Sequence, residues 1–406
     1  MAKTILGALS APDCGTPPLA PILLVSEWFP PAVGGSAVLL SNVYSRVPDV
    51  TVLTVSQQAA VASTSAEYAR IVRRRFGTGL GLLNFQSGLG HLRLAREIRA
   101  LDPTGRAVVH CGRALPEGTM AWLSSFGRRP YLCWTHGEEL PIAQASRELR
   151  WLLGQVHRGA AGLIANSHNT ARLLRDLGNA ADRVHVVHPG VDVTRFTPVA
   201  RSESLHQRLR GRFPLLLLSV GRLQARKGHD LVLRALGRAS SLGTPLPFRY
   251  VVVGDGPEGP RLRTLAADLA LGDSVEFAGA VPPDELPAYF ASADVFVHPN
   301  RVEGSDFEGF GIVFLEAAAA GVAVIGGRSG GVPEAVEDGV TGLLVSGQDT
   351  DELRAALVAL ADSGNRRREM GAAGRARAIE QFTWERAARQ VQKIDRDVRT
   401  RLAGES

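Results

Sequence analysis

Residues 308–316 read Glu-Gly-Phe-Gly-Ile-Val-Phe-Leu-Glu, and the chain then continues through four alanines, Gly321, the apolar run 322–325 and a glycine-rich stretch that ends at Glu334. In order, this pattern predicts a loop, a helix, a buried strand and a glycine-rich loop. Glu308 and Glu316 are eight positions apart, with a helix start between them. Such spacing can place the two carboxylates on either side of a helix start, whose free backbone N–H groups can bind an anion.

Short apolar runs recur along the whole chain, and a helical pattern follows each of them. The runs are continuous rather than alternating, which is typical of strands that helices cover on both faces, as in parallel sheets. Six runs lie in each half of the chain: 22–26, 51–55, 107–111, 131–134, 162–165 and 184–187, then 215–220, 250–253, 275–277, 295–297, 322–325 and 342–345. The pattern predicts an α/β fold with two doubly wound, Rossmann-like parallel-sheet domains.

The length of 406 residues is sufficient for two domains with full cores. Prolines and glycines around 189–198 mark a boundary. We therefore predict a flexible extension at 1–20, a first domain at 21–195, a second at 196–383, and a last helix at 384–406 that packs back toward the first domain. Because ligands of open α/β sheets bind outside the carboxyl ends of the strands, we expect the site in a cleft between the domains.

The composition narrows the function class and the compartment. Lys and Arg number 46 against 40 Asp and Glu, a modest basic excess that fits phosphate-bearing ligands, an anionic membrane surface or nucleic acid. Only 6% of residues are aromatic and no basic-aromatic platform is present, which disfavours nucleic acid. The three cysteines suggest no disulfide framework, and no apolar run has the length of a membrane helix. We therefore predict a cytoplasmic protein.

Two loops are candidates for binding phosphate. Gly34 and Gly35 precede a helical pattern, so backbone N–H groups at the helix start could approach an anion, although a tight strand-to-helix turn explains the pair equally well. Residues 221–228 read Gly-Arg-Leu-Gln-Ala-Arg-Lys-Gly after the first strand of the second half. Arg222 and Lys227 are suited to clamp a diphosphate and to stabilise its charge as it leaves. A solvated basic loop is the alternative.

Gly254, Gly256 and Gly259 formally match the dinucleotide motif G-x-G-x-x-G. Pro257 lies inside the motif, and the preceding strand is the second of its domain rather than the first. These departures disfavour an NAD or flavin enzyme and favour a helix start near a nucleoside.

The sequence suggests neither a catalytic metal nor a cofactor. Residues 349–351 read Asp-Thr-Asp and are typical of a helix N-cap, whereas Asp395 and Asp397 lie two apart on a helix and so face different directions. His185 and His188 are three apart on a predicted strand, where they would face opposite sides.

The basic stretch 70–75 contains Arg70, Arg73, Arg74 and Arg75, and apolar side chains follow it up to Leu89. A basic and apolar surface of this kind is typical of peripheral docking on an anionic membrane, here its inner face, or on a lipid acceptor. A solvated face beside an ordinary loop is at least as compatible with the pattern.

The ordered motifs together resemble the family-4 retaining glycosyltransferases, which have the GT-B fold. The motifs that carry the resemblance are Gly34-Gly35, Thr135-His136-Gly137, His188-Pro189-Gly190-Val191-Asp192, Gly221-Arg222 with Lys227-Gly228, Val253-Gly254-Asp255-Gly256-Pro257, and 308–316 followed by Gly330-Gly331-Val332-Pro333-Glu334. Within the family, the segment 308–316 is most similar in style to bacterial phosphatidylinositol mannosyltransferases. The resemblance implies two Rossmann-like domains that face each other across a cleft. It also implies metal-independent transfer of a hexose from a nucleoside-diphosphate sugar, GDP-mannose or a UDP-hexose, to a lipid, glycan or small-molecule acceptor. A catalytically inactive nucleotide-sugar-binding module is the alternative.

The resemblance also implies roles for single residues. Glu308 would bind the sugar and support positive charge at the anomeric carbon, and His136 would orient the sugar. The other implied contacts are backbone N–H groups of Phe310, Gly311 and Ile312 for the sugar, Gly34, Gly35, Arg222 and Lys227 for the diphosphate, Glu316 for the ribose, and Val281 and Gly254 for the base. Glu303 and Asp306 could compete with Glu308, but the spacing and the following Phe-Gly favour Glu308.

Overall fold

The computed structural model describes residues 22–32, 34–55, 70–74, 79–125, 129–137, 139–144, 146–241 and 246–404. The strands of the first domain are β1 Ile22–Ser26, β2 Val50–Val55, β3 Arg70–Arg74, β4 Val108–Cys111, β5 Tyr131–Thr135, β6 Gly162–Ala165 and β7 Val184–Val186. Those of the second domain are β8 Leu215–Val220, β9 Phe248–Val253, β10 Val275–Gly279, β11 Val295–His298, β12 Ala323–Gly327 and β13 Gly342–Val345.

The α-helices of the described chain alternate with these strands. They are α1 Gly35–Tyr44, α2 Phe85–Leu101, α3 Thr119–Ser125, α4 Glu139–Gln144, α5 Arg147–Gly159, α6 His168–Asp176, α7 Glu203–Arg210, α8 His229–Ser241, α9 Gly259–Asp268, α10 Leu286–Ser292, α11 Ile312–Ala319, α12 Val332–Ala335, α13 Thr350–Ala361, α14 Gly364–Gln381 and α15 Trp384–Gly404. Among the helices so described, none is both long enough and apolar enough to cross a bilayer.

The strands form two parallel sheets, which confirms the predicted fold class. The first sheet has the order β3-β2-β1-β4-β5-β6-β7 and the second has the order β10-β9-β8-β11-β12-β13. In each sheet the chain starts near the middle, builds one side and then crosses over to build the other. A crossover of this kind opens a crevice at the carboxyl ends of the central strands.

The prediction of six strands in the first half was wrong, because the basic stretch 70–75 contributes a seventh. β3 lies at the sheet edge and pairs in parallel with β2. Its sequence, Arg-Ile-Val-Arg-Arg, has one fully buried side chain, Val72. An edge strand is covered less than a central one, so it lacks the continuous apolar run that marks the others. Arg75 lies outside the described residues.

Helices cover both faces of each sheet, which explains the apolar runs. Every residue of β1 and of β8 is buried. The last helix, α15, contributes Trp384 and Val391 to the same buried cluster as Leu40 and Tyr44 of α1, so it packs on the first domain. The residue limits assigned to the two domains stay a prediction.

Candidate active site

The carboxyl edges of the two sheets meet at closely apposed backbone segments. A Cβ atom at Gly35, the first residue of α1, would lie 3.9 Å from Cδ1 of Ile312, the first residue of α11. A Cβ atom at Gly309 would lie 2.3 Å from the carbonyl oxygen of His136, so only glycine fits there. The structure therefore brings the predicted residues Gly35, His136 and Ile312 together from both domains.

Two helix N-termini are open at this junction. Gly34 caps α1 with φ 148° and Gly311 caps α11 with φ 92°, and neither helix start receives a side-chain cap from the described residues. Both φ values favour glycine. The first N–H groups of a helix have no partner inside the helix, and the helix dipole makes that end positive. The pair of helix starts is therefore suited to an anion such as a diphosphate.

The loop 221–228 follows β8 and carries the predicted cations. Arg222 is exposed, and no side-chain hydrogen bond or ion pair joins it to the described part of the chain, whereas Lys227 is buried. The glycines of the G-x-G-x-x-G match support this loop, because Cβ atoms at Gly254 and Gly256 would collide with the carbonyl oxygens of Gly221 and Leu223. The match therefore has a structural reason that involves no dinucleotide.

Glu308 lies in a buried cluster of cations. Its Oε2 accepts hydrogen bonds from Lys227 Nζ at 2.5 Å, Arg226 Nη1 at 2.7 Å and Asn300 Nδ2 at 2.9 Å. Burial raises the pKa of the Glu308 carboxyl, but Lys227 and Arg226 outweigh this effect and hold the pKa below its usual value. Glu308 is therefore an ionised carboxylate at neutral pH, suited to stabilise positive charge and unsuited to donate a proton.

Sequence reasoning missed Arg226 and Asn300. Two signals were available: Arg226 is next to Lys227, and Asn300 follows the carboxyl end of β11. The rival carboxylates lie elsewhere in the network, because Glu303 pairs with Arg301 at 2.8 Å and Asp306 pairs with Arg226 at 3.1 Å.

His136 directly follows β5 and is held from several sides. Its Nε2 lies 2.9 Å from the Gly112 carbonyl oxygen, so this nitrogen carries the proton and donates it. The ring stacks parallel to Trp134 at 6.1 Å, and Trp28 lies tilted on it at the same centroid distance. The imidazole is therefore fixed in orientation, while the backbone carbonyl of His136 lies against Gly309.

Glu316 lies one turn beyond the start of α11 and differs from Glu308 in its surroundings. Burial raises its pKa to about 7, and the opposing effect of Arg195 is smaller. Its side chain makes no hydrogen bond or ion pair with the described residues. A poorly compensated carboxyl group is a candidate for ligand binding. The assignments of Glu316 to the ribose and of Val281 to the base stay predictions.

One group of potential metal ligands occurs in the described chain, and Glu308 is not a member of it. The ligand atoms of His168, His188 and Glu334 lie within 4.8 Å of one another. β7 ends before His188, so the prediction that His185 and His188 lie on one strand was wrong. Glu334 accepts hydrogen bonds from His188 Nε2 and from the backbone N–H groups of His168 and Asn169 at the start of α6. The N-terminus of α6 makes the surroundings of Glu334 positive, so we infer no cation at this group of residues.

The helix N-cap predicted at residues 349–351 is confirmed, and Asp395 and Asp397 lie on one helix with different surroundings, as expected. Asp349 caps α13 through the backbone N–H groups of Asp351 and Glu352. Asp395 is buried and bonds His110 and Arg399, whereas Asp397 is exposed.

Family models cover most of both domains. A model described as Glycosyltransferase Family 4 matches residues 45–195, and one described as Glycosyl transferases group 1 matches residues 206–377.

Two relatives illustrate the similarity in sequence. A GDP-mannose-dependent alpha-(1-6)-phosphatidylinositol monomannoside mannosyltransferase of Mycobacterium tuberculosis is 36% identical over 90% of this chain and 96% of its own. A D-inositol 3-phosphate glycosyltransferase of Acidothermus cellulolyticus is 38% identical over 61% of this chain and 56% of its own.

Solved structures show the same architecture. The Anabaena protein HepE in complex with UDP and glucose superposes with a TM-score of 0.76 at 21% identity, over 92% of this chain and 98% of its own. Sucrose-phosphate synthase from Thermosynechococcus elongatus gives a TM-score of 0.78 at 23% identity, over 94% of this chain and 99% of its own. At these identities the likeness concerns the fold.

Proposed function

Because the chain belongs to glycosyltransferase family 4, we propose that it moves a hexose, with retention of configuration and without a metal, from GDP-mannose to an acceptor that carries an inositol ring. The observation that carries this proposal is the junction of two open helix N-termini beside the Lys227–Glu308 pair. The choice of donor and acceptor is supported by the names of the relatives, each of which contains inositol. A UDP-hexose is the alternative donor.

The diphosphate would lie between the start of α1, the start of α11 and the loop that carries Arg222 and Lys227. Charge that develops on the leaving phosphate is offset there by two cations and two helix dipoles, so the step needs no bound metal. In this step the acceptor hydroxyl oxygen forms a bond to the anomeric carbon while the bond from that carbon to the phosphate oxygen breaks. The electron pair goes to the phosphate oxygen, which also takes the hydroxyl proton.

Glu308 would support the positive charge that grows on the sugar. Its low pKa keeps it ionised, and the residue that follows it, Gly309, lies against the backbone carbonyl of His136 in the first domain, which supports this role. Glu308 would accept hydrogen bonds from the sugar, while Glu316 would accept those of the ribose.

The first test is a thermal-shift panel with UDP, GDP, ADP, dTDP and NAD. A ligand at a hundred times its dissociation constant stabilises the folded state by about 2.7 kcal/mol. We expect GDP to raise the melting temperature and NAD to leave it unchanged. A shift with NAD alone would overturn the proposal.

The second test is turnover with GDP-mannose and phosphatidylinositol vesicles. Glu308→Gln and Lys227→Ala should each lower kcat by about a hundredfold or more, because each removes charge that stabilises the transition state. Exposed Glu380→Gln is the control for Glu308→Gln. Wild-type rates in both site variants would refute the assignment. GDP binding without turnover in the wild type would favour the inactive binding module.

We also propose that the first domain docks on an anionic membrane, through a surface different from the stretch 70–75. Arg73 donates to the Pro30 carbonyl at 3.0 Å and Arg74 pairs with Glu97 at 3.2 Å, so both already have internal partners. The α2 patch offers a better surface. It is formed by the exposed apolar side chains Leu83, Phe85, Leu89, Leu92 and Trp151.

The α2 patch combines apolar and basic character. Leu83 and Phe85 are 82% and 78% exposed, and Arg93 and Arg96 are exposed further along α2. This combination is typical of an interfacial helix. A pocket of about 350 Å³ beside it is lined by Leu82, Leu83, Arg147, Glu148, Trp151 and Leu152.

Sedimentation with vesicles that contain phosphatidylinositol tests this docking. Phe85→Ser should weaken binding several-fold because it removes apolar contact area, and added salt should weaken it further. Val199→Ser is the matched control, since Val199 is 88% exposed and lies outside the patch. Equal binding of the two variants would exclude the α2 patch.

A further inference from the structure

We propose that Glu27, Trp28 and Arg113 of the first domain form the subsite that binds the acceptor, and that its ligand is a hydroxylated six-membered ring. The inference rests on the proposed function, because only the transfer reaction defines an acceptor. None of the three residues belongs to the donor contacts described above.

The position of the cluster follows from the sheet order. β1, β4 and β5 are neighbours in the first sheet. Trp28 lies two residues beyond the end of β1, Arg113 two residues beyond β4, and His136 one residue beyond β5. The three side chains therefore project from adjacent strand ends at the edge where ligands of such sheets bind. His136 connects this edge to Gly309 and so to Glu308 of the second domain.

Trp28 provides an apolar face whose orientation is fixed. The guanidinium carbon of Arg113 lies 3.9 Å from the centroid of the Trp28 ring, a cation–π contact that covers one face of the indole. The Trp28 and His136 rings are 6.1 Å apart and tilted by 47°. Trp28 is half-buried, so part of the indole remains available to a ligand. An aromatic face can pack against the C–H face of a sugar or cyclitol ring.

The carboxylate of Glu27, next to the indole in sequence, is available to hydrogen bonds from ring hydroxyls. Arg113 Nη2 donates to Glu27 Oε2 at 2.7 Å, and Arg113 Nε donates to Glu117 Oε2 at 3.1 Å. Glu117 Oε1 accepts the backbone N–H of Glu27 at 2.9 Å. Arg113 and Glu117 thus hold Glu27 in position, and the carboxylate of Glu27 can accept hydrogen bonds from the hydroxyl groups of a ligand.

Exposure separates the structural part of this network from the ligand-facing part. The Glu117 side chain is 1% exposed and Arg113 is 9% exposed, whereas the Glu27 side chain is 23% exposed. The Arg113–Glu117 pair alone would satisfy the buried charges. Glu27 and Trp28 are the members that a ring in the cleft can contact, next to His136.

The test is saturation-transfer NMR on the full chain with GDP present, using myo-inositol and methyl α-D-mannopyranoside as probes. This readout requires binding but no turnover. We expect one ring to receive saturation in the wild type and the effect to fall at least tenfold in Glu27→Gln and Trp28→Ala. Trp28→Phe should retain most of it, because an aromatic face remains. Glu380→Gln is the control for Glu27→Gln, since Glu380 is exposed and lies outside the cluster.

Each outcome has a definite consequence. Saturation of inositol alone identifies a cyclitol acceptor, and saturation of the mannoside alone identifies a glycan acceptor; both support the subsite. If neither ring receives saturation in the wild type, the subsite is overturned, and wild-type saturation in the two site variants overturns it as well. Loss of the GDP thermal shift in Glu27→Gln also overturns it, because the effect would then extend to the donor. If ring binding depends on Trp28 but no hexose is transferred, the ring-binding site is supported and the proposed function is refuted.

Discussion

Glu316→Gln should make the protein more stable at alkaline pH, because the wild-type carboxyl group ionises there in a partly buried position. Burial raises the pKa of Glu316 from 4.5 to about 7. Between these values the folded chain binds more protons than the unfolded chain, so the free energy of unfolding falls as the pH rises from 4.5 to 7. The two pKa values differ by about 2.5, and at about 1.36 kcal/mol for each pKa unit this sets an upper bound of about 3.4 kcal/mol. Glutamine carries no charge and removes this loss.

Melting curves of the wild type, Glu316→Gln and the exposed control Glu380→Gln at pH 5 and pH 8 measure the effect. We expect the melting temperatures of wild type and Glu316→Gln to be close at pH 5. At pH 8 the variant should melt higher, by up to roughly 7 °C at about 2 °C per kcal/mol. An unchanged difference between the two pH values would refute the reasoning, and so would the same gain in the control.

The same ionisation should link donor binding to pH. Ribose hydroxyls donate hydrogen bonds, so they favour the ionised carboxyl group and lower its pKa. GDP affinity of the wild type should therefore increase as the pH rises from 6 to 8, whereas Glu316→Gln should bind more weakly and with little pH dependence over this range. Isothermal titration calorimetry at several pH values measures this, and parallel profiles for the two proteins would exclude Glu316 from the ribose contact.

Two further predictions concern the junction and the phosphate loop. Glu334→Ala should increase the radius of gyration measured by small-angle X-ray scattering, because Glu334 of the second domain accepts hydrogen bonds from the start of α6 in the first domain. Glu337→Ala is the control, since Glu337 pairs with Arg377. An equal radius of gyration for the two variants would contradict the contact. Gly256→Ala should weaken GDP binding at least tenfold, because its Cβ would lie 2.5 Å from the Leu223 carbonyl oxygen and displace the loop 221–228. Gly259 has room for a Cβ, so Gly259→Ala should bind GDP normally. Normal binding by both glycine variants would show that the loop tolerates the collision.

The fold could be predicted because central parallel strands leave an unmistakable pattern. β8 reads Leu-Leu-Leu-Leu-Ser-Val and is buried throughout, so both faces require apolar side chains. β3 could not be found in this way, since an edge strand with helices on fewer sides keeps charged residues at both ends. Its arginines were therefore interpreted as a surface, although Arg73 and Arg74 bond neighbouring segments.

The candidate site was only half visible in the sequence for a related reason. In parallel sheets, ligands bind at the loops that follow the carboxyl ends of the strands. This rule located Gly35, His136 and Lys227. The partners of each side chain depend on how strands far apart in sequence come to be neighbours. Arg226 and Glu308 are 82 residues apart, and Arg113 and Glu27 are 86 apart. No local spacing encodes such pairs.

The surroundings of Glu308 and Glu316 shift the pKa values of these two carboxyl groups in opposite directions. Glu308 is held ionised by Lys227 and Arg226, whereas burial without a close partner raises the pKa of Glu316. Under the proposed function, a diphosphate would compete with Glu308 for Lys227, since both offer anionic oxygens to one ammonium group. Donor binding would then release part of the Glu308 carboxylate to the sugar at the moment when the phosphate gains a cation. Lys227 and Glu308 thus compensate each other's charge before the donor binds. In the transfer step Lys227 would stabilise the leaving phosphate, and Glu308 would stabilise the positive charge on the sugar.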